Sequence, residues 1–415
     1  MKRILCIFIL LISYNQNSHS QKIQEVNPPD FIKTITIKNN NNPSQFPIIE
    51  LGNSFEFEFD VLNGLEEDYY YKIDHFNFDW TKSDLAKSEY LSGYDNNKIY
   101  NYKNSFNTYQ LYSHYELKIP NQDVQIKKTG NYIISIYNEF DEIMFSKKFI
   151  IYENLSKIKI GVHRSRKLED INEKQVIQFE IESIDNLNNP KTNVKSLLIK
   201  NNDLNQSISN VRPQYTVGNK LIYKYSNETN FFGGNEFLNF DNKDVRGTDI
   251  NIRSFNLNEI YDNYLYIDYP RKNSSYTFNP DINGSFLITA IDTDDPEIEA
   301  DYVNVHFYLK TNKVDDPQNI YVYGNFNGFK KLESNKMHYN TFSQCYETVI
   351  KLKQGFYNYN YVLENNTNDL DTGYFSGNFD ETENNYKIVV YYRNYSSRYD
   401  KVIGFNEINS TKVNN

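Results

Sequence analysis

Val303-Asn304-Val305-His306-Phe307-Tyr308-Leu309-Lys310 alternates large apolar side chains with polar or amphipathic ones. In an extended chain successive side chains point to opposite faces, so this period of two puts Val303, Val305, Phe307 and Leu309 on one face of a strand. The pattern recurs along the chain. Phe55, Phe57 and Phe59 alternate with Glu56 and Glu58, and Ile177, Phe179 and Ile181 alternate with Gln178, Glu180 and Glu182. Tyr357, Tyr359, Tyr361 and Leu363 repeat it near the C-terminus. Turn-forming pairs, among them Asn63-Gly64, Gly130-Asn131, Gly218-Asn219, Asn283-Gly284 and Asn327-Gly328, punctuate these runs. No long segment holds a helical period; Trp80 to Tyr90 has room for one short helix, capped by Thr81 or Ser83. The fold class is all-β, built of consecutive immunoglobulin-like or early-set β-sandwich domains.

Composition agrees. The 415 residues include 37 Tyr and 28 Phe, side chains that suit half-buried pleated surfaces. At that length two to three domains are expected, at about 150 residues each. The net charge of −10 repels nucleic-acid phosphates and anionic lipid, so neither is a general partner. The basic run Lys157, Lys159, Arg164, Arg166 and Lys167 is expected at a solvated edge.

Lys2 and Arg3 precede an apolar run from Ile4 to Ile12, then a polar stretch ending Ser18-His19-Ser20. Residues 1–20 are therefore expected to be a secretory signal peptide. Cys6 lies within the apolar run and not after it, so it is not expected to serve as the acceptor of a lipoprotein anchor. Cys345 is then the one cysteine of the mature chain, expected as a buried small hydrophobe. The remaining boundaries are expected at residues 21–153, 154–300 and 301–405 for three sandwiches, with a loose polar tail at 406–415. A transmembrane barrel also shows alternating strands, but heavily charged exposed faces and irregular spacing disfavour one.

Motifs for chemistry are missing. There is no Gly-x-Ser-x-Gly elbow, no phosphate-binding glycine loop and no His-Glu-x-x-His pattern. His75, His114, His163, His306 and His338 are too far apart in sequence to form a local metal site. The acidic cluster Asp292, Asp294, Asp295, Glu297 and Glu299 lacks the glycine and terminal glutamate of a calcium loop and suggests an interdomain linker. The expectation is a non-enzymatic chain with no catalytic residue, no metal and no cofactor. Trp80, the only tryptophan, is expected to be mostly buried, with Asp79 and Ser83 fixing its turn.

Gly324-Asn325-Phe326-Asn327-Gly328-Phe329, followed by Met337, Tyr339 and Tyr346 to Leu352, resembles the early-set modules attached to glycogen- and starch-acting enzymes. That resemblance supplies an alternative reading, a periplasmic carbohydrate-binding protein.

Longer strings carry a second resemblance. They are Tyr69 to Ile99, with Asp79-Trp80-Thr81-Lys82-Ser83 and Ser92-Gly93-Tyr94-Asp95; Asn104 to Tyr115; Thr229-Asn230-Phe231-Phe232-Gly233-Gly234-Asn235-Glu236-Phe237; and Glu381 to Tyr386 leading to Ser397-Arg398-Tyr399-Asp400. Together they resemble the type IX secretion system plug protein family over about residues 31 to 405. Family members carry tryptophan where Phe232 and Phe329 stand here. The resemblance implies a periplasmic protein, held at the outer membrane by the secretion system's large β-barrel translocon, which it seals when idle. It also implies that Asp79, Trp80, Ser83, Gly93, Phe231, Gly233, Gly234 and Asn235 are structural, and leaves the partner-binding residues unknown.

Overall fold

The computed structural model describes residues 23–39, 47–183, 187–291 and 293–412. The expected signal peptide lies outside the described residues, as do Asp292 and the end of the chain from 413. Strand makes up 48% of the structure and helix 5%, the helices being single turns. No helix among the described residues is long and apolar enough to cross a membrane. The helix expected between Trp80 and Tyr90 shrinks to the turn Lys87–Tyr90, where the Glu89 carboxylate accepts from the Ala86 N–H at 2.8 Å. Neither Thr81 nor Ser83 caps it.

The first sandwich packs one sheet, in the order Ile32–Asn39, Phe55–Val61, Ser113–Ile119, Asn101–Asn104, against a second. That second sheet runs Ile48–Glu50, Ile143–Tyr152, Gly130–Tyr137, Tyr70–Phe76, Asn97–Lys98. Phe55, Phe57 and Phe59 point into the core between them, where Phe59 stacks on Tyr115 at 5.1 Å.

The second sandwich has one sheet centred on Lys174–Ser183, flanked by Ser156–Arg164 and Lys220–Tyr223. Its other sheet runs Asp203–Ser209, Val194–Lys200, Asn385–Tyr392, Lys401–Asn409. The third sandwich faces Leu238–Asp241, Gly355–Glu364 and Phe286–Ile288 against Ile252–Leu257, Tyr261–Leu265, Tyr302–Leu309, Cys345–Lys353 and His338–Asn340.

The third sandwich is thus inserted into the second, and the expected boundaries at 300 and 405 need correction. Strands between Leu238 and Ile288 belong to the third sandwich, while Asn385–Tyr392 and Lys401–Asn409 return to complete the second. Alternation marks a strand but does not say which sheet it joins. Here Val194 pairs with Tyr392, a partner about two hundred residues away. The expected loose tail is corrected too, since Asn406 to Asn409 pair with Ile388 to Asn385 and Ser410 is buried. Cys345 is buried, and the basic run lies on the sheet-edge strand Ser156–Arg164 and the loop after it.

Candidate functional site: the junctions of the three sandwiches

Asp60 follows Phe59 and therefore points out of the first core, onto a face that the third sandwich covers. Its Oδ2 accepts from the Lys353 ammonium at 2.7 Å and from the Tyr302 hydroxyl at 2.6 Å, and its Oδ1 lies 2.7 Å from His114 Nδ1. The Asp60 and Lys353 side chains are both 0% exposed. Burial alone would raise the Asp60 pKa, but the Lys353 charge and the His114 and Lys353 hydrogen bonds outweigh it and hold the carboxyl below its usual range. The string Asn104 to Tyr115 closes the same junction. Tyr112 donates its hydroxyl to Ala300 O at 2.9 Å, and Tyr109 its N–H to Asp301 Oδ1 at 2.6 Å. The acidic segment expected as a linker docks here as well, with Glu297 paired to Lys38 and Asp295 to Lys103.

Between the first and second sandwiches, the Tyr69 to Ile99 string meets the distant Ser397 to Asp400. Asp400 Oδ2 accepts from the Phe78 N–H at 3.1 Å, and Arg398 pairs with Glu89. Tyr391 donates to Asn131 Oδ1 at 2.7 Å. Ile48 and Ile150 of the first sandwich share an apolar cluster with Leu197, Ile199, Val389 and Val402 of the second.

Asp79 does fix its turn, accepting from the Thr81 N–H and hydroxyl at 3.1 and 2.6 Å. Ser83 does not; its hydroxyl sits 2.8 Å from His75 Nδ1. Trp80 departs from expectation. It takes a φ of +63° at the tip of the turn and is only half-buried, with the Lys148 ammonium 4.5 Å above its ring. Alternation stops at Phe76, so the indole leaves the sheet and lines a cavity of about 520 Å³ where all three sandwiches meet. Lys147, Asn205 and Phe329 line that cavity too.

Ser83 and His75 resemble a nucleophile and its base, but they are 8% and 1% exposed. His75 Nε2 lies 3.1 Å from the Thr129 carbonyl, which only accepts, so Nε2 carries the proton and Nδ1 accepts from Ser83. Burial pushes the His75 pKa down from its ordinary 6.5 to about 4. Between these values the unfolded chain binds a proton that the folded chain does not, so this contribution to stability is complete above pH 6.5 and falls as pH drops. About 3 kcal/mol should be lost by pH 4. Urea denaturation from pH 7 to 4 should show that loss in the wild type beyond the loss in His75→Gln; equal pH profiles would exclude the assignment.

Between the second and third sandwiches lie the remaining strings. Gly233 has no room for a Cβ, which would stand 1.8 Å from Phe379 O, and Gly234 has a φ of +72°. Asn384 Nδ2 donates to Gly233 O at 2.9 Å, Asn235 Nδ2 to Ser376 O at 2.8 Å, and Phe231 packs on Tyr386. The buried Lys200 donates to Phe232 O and Gly233 O, and burial lowers its pKa to about 7. Gly93 plays the matching part in the first sandwich, where a φ of +83° brings it against Asp123 O. The early-set turn is docked rather than displayed. Phe329 O accepts from Asn205 Nδ2 at 2.8 Å, and the Phe329 ring is buried against Tyr323.

Sequence spacing gave no hint of two clusters whose carboxylate or imidazole ligand atoms the fold brings within 4.8 Å of one another. They are Glu58, His114 and Glu297, and Glu236, Asp281 and Glu383. In the first, the Lys38 ammonium already sits between the two glutamates.

Fold and junctions define a class: a β protein of three sandwiches, each bonded to both others through buried polar contacts. Residues 32–153 match the family model of the type 9 secretion system plug protein 1st domain. A crystal structure of a hypothetical protein from Parabacteroides merdae is 32% identical, with a TM-score of 0.89 over 94% of this chain and 100% of that one. No protein of curated function matches. Over residues 32–153 the chain carries the first domain of the type IX secretion plug family, which supports a role related to type IX secretion.

Proposed function

We propose that this protein is a periplasmic plug that seats in the idle outer-membrane β-barrel translocon of type IX secretion and seals it, without catalysis. The observation that carries the reading is the mutual locking of the three sandwiches. A stopper for a pore wide enough to pass folded cargo must be bulky and must not deform, and a chain of beads on flexible linkers would do neither. Here every junction contains buried hydrogen bonds that straddle two sandwiches, as at Asp60–Lys353, Tyr391–Asn131 and Tyr323–Asp203. The family strings converge on these junctions, which suggests that rigidity of the assembly is what they serve. Exposed Leu65, Phe106 and Leu111 leave apolar surface on the first sandwich that a partner would cover. The glucan-binding alternative gains no support, because the third sandwich contains no tryptophan and its early-set turn is half-buried, with Phe329 bonded to Asn205 of the second sandwich.

A tagged copy purified in mild detergent should bring down a large outer-membrane β-barrel in stoichiometric amount. Recovery of the tagged chain without any barrel would refute the reading.

A further inference from the structure

We propose that Glu236, Asp281 and Glu383, joined by the amide oxygen of Asn283, form a calcium site that fastens the third sandwich where its chain enters and leaves the second. Each of the three carboxylates offers an oxygen, and these oxygens lie within 4.8 Å of one another. Glu236 stands on the outgoing crossing, between Asn230–Phe232 and Leu238–Asp241, and Glu383 on the return, just before Asn385–Tyr392. Asp281 and Asn283 come from the third sandwich's own loop ahead of Phe286–Ile288. One cation would therefore hold both crossings and the inserted body together.

The second observation concerns two buried oxygens. Glu236 is 1% exposed; its Oε1 accepts from the Tyr276 hydroxyl and the Glu383 N–H, but no N–H or alcohol hydroxyl reaches its Oε2, and the carboxyl of Asp281 is its remaining side-chain neighbour. Asn283 donates its amide N–H to the Glu383 carboxylate, while its Oδ1 is buried without a partner. Buried oxygens are normally bonded, and two left bare beside three carboxylates are the donors a hard cation takes. The other acidic group shows the contrast, since there Lys38 supplies the positive charge. Among the described residues no ammonium or guanidinium pairs with Glu236, Asp281 or Glu383; Lys200 bonds carbonyls nearby, and Arg271 donates to Glu236 O. Burial raises the pKa of Asp281 to about 7, with the charges of Glu236 and Glu383 adding to the effect. The donor set is all oxygen and irregular in origin, with no thiolate or imidazole, which favours calcium over zinc.

The site rests on the fold and not on the plug reading, so its test is independent of any translocon. The full mature chain, stripped with EGTA, should bind one Ca²⁺ in a calorimetric titration and melt several degrees higher when loaded. Glu383→Gln should weaken binding at least tenfold while melting like the stripped wild type in EGTA. Asp281→Asn serves as the second variant, because a proton shared between Asp281 and Glu236 is the rival account. If the wild type shows no saturable binding, or Glu383→Gln binds equally well, the proposal fails. It also fails if Asp281→Asn raises the melting temperature in EGTA while Ca²⁺ leaves the wild type unmoved.

Discussion

Asp60→Ala should destabilise the protein by about 3–5 kcal/mol, the range expected when one partner of a fully buried ion pair is removed. The cost comes less from the lost attraction than from what stays behind. Lys353 would be left in a place that offers it Glu297 O and the faces of Tyr112 and Tyr302, 4.2 and 5.8 Å away, with no carboxylate beside it among the described residues. Tyr302 would lose its bond to Asp60 and fall back on the Thr34 hydroxyl, and His114 would lose its partner at Nδ1. Because Asp60 belongs to the first sandwich and Lys353 to the third, the damage should concentrate at their junction. Urea denaturation followed by two probes should show the midpoint fall and the two transitions separate. Adding Lys353→Met should recover much of the loss, since apolar replacements of a whole buried pair are often tolerated. A loss below about 1 kcal/mol in the single variant would mean that water reaches Lys353, and the buried lock would have to be abandoned.

If the protein is the plug proposed above, removing its gene should make cells permeable to large antibiotics that the outer membrane normally excludes, while secretion continues. A stopper contributes nothing to cargo recognition or to energy input, so its loss opens idle translocons without stopping loaded ones. Sensitivity should rise most where translocons lack bound cargo or partner subunits. Deleting the barrel as well should abolish the effect, because no pore remains to be left open. A deletion strain with unchanged sensitivity, or one equally sensitive with and without the barrel, would overturn the plug reading. A glucan-binding protein would instead show a growth defect on particular glycans.

The sequence announced its strands plainly, because burial of one face imposes a period of two that survives in the side chains. Phe55, Phe57, Phe59, Val303, Val305 and Phe307 all sit in cores as the alternation requires. What it hid was the fate of the opposite face. Glu58 and Asp60 alternate with the phenylalanines as solvent-facing residues would, yet both are buried under the third sandwich. Local periodicity cannot register a covering domain, and Lys353 lies nearly three hundred residues away from Asp60. The carboxylates at 236, 281 and 383 were invisible for the same reason. Trp80 misled differently: a lone tryptophan suggests a core, but the turn at Asp79 lifts it out of the sheet. The family strings were legible as strings, and their meeting at the junctions was not.

The insertion of the third sandwich into the second also imposes an order on folding. A chain made from its N-terminus can finish the first sandwich once Tyr152 has emerged, and the third once Asp371 has. The second must wait, because Val194–Lys200 has no neighbour on one side until Asn385–Tyr392 arrives, and the sheet is complete only with Lys401–Asn409. For the whole time the inserted body is being made, the half-built sandwich exposes an unpaired edge and an apolar face to any other strand that passes. Closing it requires contacts across nearly two hundred residues, a slow kind of step. Only the final strands turn two finished bodies and one unfinished sheet into a single block, so the molecule becomes rigid last of all, at its C-terminal end.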